Sequence, residues 1–288
     1  EGKGGGEGEG EGEGEGGEGG GQAERNDEGG EGEEEQDEEA PAMEPAMMAA
    51  KLSMANGMWQ EGDLVGAAAT YTELVEERER REELASHADT YKLKFQLGMV
   101  LKLLMDTAGA RAQFEAVLVH REAQLEAGEG SVAELHNLKG ATLGTKYNLA
   151  VILKAEGDLD GAKRLFEAVL ESKEAALGGE HTEVVRIKGR LGIVLRDMAE
   201  AAAAAEDEQG ALELYGRAAD MMVVKYGEED ETVAWCRERA SELSAMVERA
   251  NTMKQAYREQ QRQQQRQQQQ QQQHYGQQQH YQQQQHHG

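Results

Sequence analysis

The chain has 288 residues, 38% of them hydrophobic, and a formal charge of −26. Its mean hydropathy of −0.78 is too low for one continuous globule over the full length. The acidity excludes a general affinity for nucleic acid or anionic membranes, and the single cysteine, Cys236, excludes a disulfide framework and a multi-cysteine metal cage.

Residues 1–40 carry 17 acids against only Lys3 and Arg25, and contain no Leu, Ile, Val or aromatic residue. Such a segment buries no core, so a disordered Gly/Glu-rich acidic tail is expected. No apolar run approaches the ~20 residues needed to cross a bilayer. The start resembles neither a signal nor a transit peptide, and a reducing, cytoplasmic setting is the expectation. The chain begins at Glu1 without Met, so a piece of a longer protein is the alternative.

From residue 41 to 258 the only prolines are Pro41 and Pro45, and apolar residues recur three and four apart, which predicts long helices. Three stretches repeat one spacing of 3, 9, 4 and 3: Ala55, Met58, Ala67, Tyr71, Leu74; then Gly98, Leu101, Ala110, Phe114, Val117; then Ala150, Leu153, Ala162, Phe166, Val169. Small residues let two antiparallel helices approach, and the large ones fill the space beside them. Gly62-Asp63 and Gly157-Asp158 read as a left-handed helix stop followed by an N-cap. Ser131-Val132-Ala133-Glu134 reads as a capping box that starts a longer helix. A fourth unit, Gly192, Leu195, Ala211, Tyr215, Ala218, has seven extra residues, nearly two turns, which lengthen its first helix without rotating the buried face.

Thr232 to about Met253 reads as a closing helix with Val233, Cys236, Ala240, Leu243 and Val247 on one side. It covers the end of a stack. From residue 259 onward the chain is Gln/His-rich and of low complexity, with seven consecutive glutamines at 267–273. This tail either prolongs the helix, since Gln is a good helix former, or is disordered.

The step pattern resembles the tetratricopeptide repeat, and the long period resembles its kinesin-light-chain subtype. Leu177-Gly178-Gly179-Glu180-His181-Thr182 and the stretch from Lys225 to Thr232 look like the linkers of that subtype, and Tyr147-Asn148-Leu149-Ala150 resembles its Asn-Leu-Ala segment. The resemblance covers roughly residues 45–250. It implies an all-α, right-handed superhelical solenoid of about four antiparallel helix pairs plus a capping helix, flanked by disordered tails. The domains are then 1–40, 41–258 and 259–288.

In such superhelices the first helix of each pair lines the concave surface. Lys102, Lys154 and Arg196 lie four residues past Gly98, Ala150 and Gly192, while Lys92, Arg186 and Arg190 lie on the same helices. A basic stripe in a segment of net −12, what remains of −26 after −15 in 1–40 and +1 in 259–288, favours an acidic peptide. Gln96 and Asn148 could hold a peptide backbone through their amides, and Phe95 and Tyr147 could supply apolar shelves. The competing reading is that these cations serve solubility and pair with nearby acids. Cys236 is read as a packed thiol. His87, His120, His136 and His181 form no metal-binding pattern, and none of the tail histidines is assigned one.

The expected function is a non-enzymatic scaffold or adaptor that binds a protein or peptide segment, without cofactor or metal. The alternative is a regulatory or cargo-binding fragment of a larger enzyme or kinesin-type motor assembly. Oligomeric state is open.

Overall fold

The computed structural model describes residues 43–285. The acidic tail 1–40 and the terminal His286 and His287 lie outside the described residues. Among the described residues ten helices follow one another: α1 Pro45–Glu61, α2 Leu64–Glu79, α3 Glu82–Ala85, α4 Ala88–Leu103, α5 Thr107–Ala127, α6 Val132–Glu156, α7 Leu159–Leu177, α8 Thr182–Ala204, α9 Glu208–Tyr226 and α10 Glu231–Gln285. No strand occurs among the described residues. The pairs α1/α2, α4/α5, α6/α7 and α8/α9 form a solenoid, each packed on the next, and α10 closes it against α9.

One turn is used four times. Asp63, Asp106, Asp158 and Asp207 are the N-caps of α2, α5, α7 and α9. Each side chain accepts the backbone N–H of the glycine three residues on, at 2.9 Å from Gly66, 2.9 Å from Gly109, 2.8 Å from Gly161 and 2.9 Å from Gly210. That bond satisfies one of the orphan donors of a helix start. A Cβ on any of the four glycines would collide with the capping carboxylate. The next residue is always a buried alanine: Ala67, Ala110, Ala162 and Ala211. The shared signature is therefore Asp-x-x-Gly-Ala, of which the four alanines and the aspartate caps of two units were predicted. The residue before the aspartate has positive φ in every case: 88° at Gly62, 64° at Met105, 87° at Gly157 and 61° at Glu206.

Four residues past each alanine stands a fully buried aromatic ring, Tyr71, Phe114, Phe166 or Tyr215. Each meets a second ring edge-on, on Trp59 (6.4 Å), Phe95 (5.7 Å), Tyr147 (5.6 Å) and Trp235 (5.5 Å). Such pairs contribute about 0.5–1.5 kcal/mol beyond area burial. Gly98 is needed for one of them, because a Cβ there would stand 3.0 Å from the Phe114 ring.

The predicted capping box at Ser131 and Glu134 is present, and α8 extends to Ala204 with Ala199 buried. The expected disordered C-terminal tail is corrected for 259–285: α10 runs unbroken for 55 residues through the glutamine tract. The physical reason is the one offered by the helical alternative, that unbranched Gln loses little rotamer freedom in a helix. Val233, Cys236 and Leu243 bury its first turns, while residues 251–272 are all exposed.

Candidate functional site

The first helices α4, α6 and α8 are joined side by side through polar contacts on one face. Lys102 Nζ on α4 donates to Asn148 Oδ1 on α6 at 2.6 Å. Lys154 Nζ on α6 meets Asp197 Oδ2 on α8 at 2.8 Å. These two bridges tie together three consecutive repeats.

Around them the cations divide into two kinds. Neither Lys102 nor Arg190 has a carboxylate partner among the described residues. Burial pushes the Lys102 ammonium below the ordinary lysine range, and the nearby Arg190 guanidinium adds to the shift. Lys154 and Arg196, by contrast, are already paired. Asp197 Oδ1 accepts from Arg196 Nη2 at 2.7 Å and Nε at 3.1 Å, and Glu200 Oε1 lies 3.5 Å from Arg196 Nε. The predicted stripe thus holds two cations without a carboxylate partner beside a neutralised cluster.

The other candidate residues are distributed as follows. Arg186 stacks over the Tyr147 ring at 5.3 Å, and both line an open cleft of about 330 Å³ with Gly144, Asn148, Lys173 and Glu183. Asn148 is buried, and its Nδ2 donates to Gly144 O at 2.9 Å. Its amide therefore positions Lys102. Phe95 turns toward Phe114 and lies under Arg121 at 5.1 Å, so its ring is largely occupied as packing. Lys92 and Gln96 are elsewhere on α4. They border a cleft of about 440 Å³ whose apolar wall comes from Pro45, Met48, Leu52, Leu74 and Leu93. Lys92 pairs with Asp89 at 2.7 Å, and Gln96 Nε2 donates to Asn56 Oδ1 at 3.2 Å.

Sequence reading missed Asp197 and this apolar cleft. Asp197 carries a signal in hindsight, since it lies seven residues past Arg190 on the same helix face. The thiol of Cys236 is buried, and burial pushes its pKa up to about 11, Arg196 opposing that shift. It is a packing group, as its position on α10 predicted. No group of three or more His, Cys, Asp or Glu side chains that could hold a metal gathers among the described residues. Nor is any described helix long and apolar enough to cross a membrane.

The fold and the repeated turn define an α-solenoid of helix pairs. Residues 141–215, from α6 into α9, match the family model described as Tetratricopeptide repeat. Solved structures similar to it include kinesin-light-chain-type, nearly identical TPR-like repeats from Podosopora anserina, at 16% identity over 73% of this chain and 92% of that one, TM-score 0.44. BtubC (BKLC) from P. vanneervenii is similar at 17% identity, covering 70% and 82%, TM-score 0.41. YrrB, described as a TPR protein with an unusual peptide-binding site, is similar at 19% identity, covering 66% and 90%, TM-score 0.29. No curated protein matches the chain.

Proposed function

We propose that this protein is a non-enzymatic scaffold that binds an acidic segment of a partner protein on the joint face of α4, α6 and α8. The observation that carries the reading is the Lys102–Arg190 pair. The Lys102 ammonium is partly buried, feels the nearby Arg190 guanidinium and is held by the neutral amide of Asn148, and neither cation has a carboxylate partner among the described residues. An arriving carboxylate relieves that repulsion and accepts charge-assisted hydrogen bonds. Arg186 and Tyr147, side by side at the neighbouring cleft, extend the same face with a cation and an apolar surface.

The remaining charge supports a protein ligand over nucleic acid, because a basic pair within a strongly acidic chain does not form a phosphate-tracking surface. A buried, unreactive Cys236 fits a reducing, cytoplasmic setting. The test is fluorescence anisotropy with a labelled peptide bearing a central glutamate. Lys102→Glu and Arg190→Glu should each weaken binding by about tenfold or more, in line with ~1.5–3 kcal/mol for a hydrogen bond to a charged group. Unchanged affinity in both would end the proposal.

A further inference from the structure

We infer that Asp197 decides which acidic segments this face accepts. It withholds Lys154 and Arg196, so that the site takes an isolated carboxylate and disfavours a run of them. The inference rests on the acidic-segment reading above and deepens it.

The geometry is specific. The Lys154 stem lines the same small pocket as Arg190, together with Val151, Phe166, Ile193 and Val194. Its ammonium group nevertheless points to Asp197 at 2.8 Å, while the other oxygen of Asp197 is occupied by Arg196 at 2.7 Å. One carboxylate thus engages cations from two helices. Its side chain is only 20% exposed, so these interactions are weakly screened. Asp197 follows Arg190 by seven residues, about 10.5 Å along the helix. An extended peptide covers that distance in about three residues. A ligand whose first carboxylate sits at Lys102 and Arg190 therefore carries any acid a few residues further on toward Asp197, where like charges oppose each other.

In Asp197→Asn the volume is kept and the negative charge is removed. Lys154, on a flexible four-carbon stem, is then free to turn toward Arg190, and Arg196 is left with Glu200 alone. The face becomes a longer cationic stripe.

The experiment uses the full chain and two labelled 12-residue peptides on an Ala/Ser background, one with a single central glutamate and one with three consecutive glutamates. Wild type should bind both within about threefold. Asp197→Asn should prefer the triglutamate peptide by about tenfold, with a steeper salt dependence, and Asp197→Asn combined with Lys154→Met should lose most of that gain. Circular dichroism melts confirm that each variant folds. A wild type that already prefers triglutamate tenfold, or an unchanged ratio in Asp197→Asn, overturns the inference. Lys102→Glu separates the two levels. If it abolishes binding while Asp197→Asn changes nothing, the acidic-segment reading stands and this inference falls; absence of binding by every form overturns both.

Discussion

Glu206, at φ 61°, holds in the fourth helix pair the turn position that Gly157, at φ 87°, holds in the third. A left-handed backbone costs an L-residue about 1–2 kcal/mol, and glycine avoids that cost while losing part of the gain to its larger unfolded-state entropy. Glu206→Gly and Met105→Gly should each stabilise the fold by about 0.5–1 kcal/mol, read as a higher midpoint in urea. A lower midpoint for both would show that these side chains contribute more than their strain.

Gly161 leaves the space that the Asp158 carboxylate fills. Gly161→Ala evicts the cap and should cost about 1–2 kcal/mol, and Asp158→Ala about 1 kcal/mol. Because both remove one hydrogen bond, the double variant should be clearly less destabilised than the sum of the two. Additive losses in thermal denaturation would contradict a shared mechanism.

Gly192 on α8 packs against α9. A Cβ there would overlap Met222 Cγ and stand 3.0 Å from the Ala218 carbonyl oxygen. The backbone atom cannot swing away as a side chain can. Gly192→Ala should therefore destabilise by about 1–3 kcal/mol despite alanine's better helix propensity, and hydrogen exchange should speed up first in α8 and α9.

Glu77 is buried and accepts the Met43 backbone N–H at 2.8 Å, with Arg80 at 2.7 Å and Arg81 at 2.8 Å. Chiefly the Met43 N–H, and then Arg81, hold its carboxyl below the ordinary glutamate range. A depressed folded pKa contributes stability that is fully present above the unfolded value of about 4.3 and is lost as pH falls through the folded one. Glu77→Gln should cost about 2 kcal/mol at pH 7, and the gap to wild type should narrow steadily below about pH 4.5. A gap independent of pH would refute the assignment.

The Lys102 pKa is lowered too, but for a cation this means that the charged form is disfavoured, by burial and then by Arg190. Binding of an anionic peptide should accordingly weaken as pH rises through a value below the ordinary lysine pKa, and binding should take up protons on the alkaline side. Calorimetry in buffers of different ionisation enthalpy measures that uptake. Lys102→Arg should remove the alkaline loss while keeping affinity.

Much of the fold was legible because helix packing imposes a spacing. Ala55, Gly98, Ala150 and Gly192 are small where helices pack; a side chain at Gly98 would crowd the Phe114 ring and one at Gly192 would crowd Met222 and the Ala218 backbone. The Asp-x-x-Gly-Ala turn was read in only half the units, since Met105 and Glu206 hide a position that Gly62 and Gly157 advertise. The face of the first helices was legible too, but its charge state was not. The Lys154–Asp197 bridge joins residues 43 positions apart, and whether it closes depends on how one helix pair slides along the next. The Asn148 contact was hidden for a related reason: its partner, Lys102, comes from the preceding repeat. The glutamine tract has no apolar rhythm, so composition alone left helix and coil open there.

The shared turn makes each helix pair an interchangeable block. Ala110 and Ala162 are 52 residues apart and lie in the same chemical setting, so an in-frame duplication between them recreates an existing junction. Added length would bring with it another first helix, and a gene could thus lengthen or shorten the recognition face in whole steps while leaving every join unchanged.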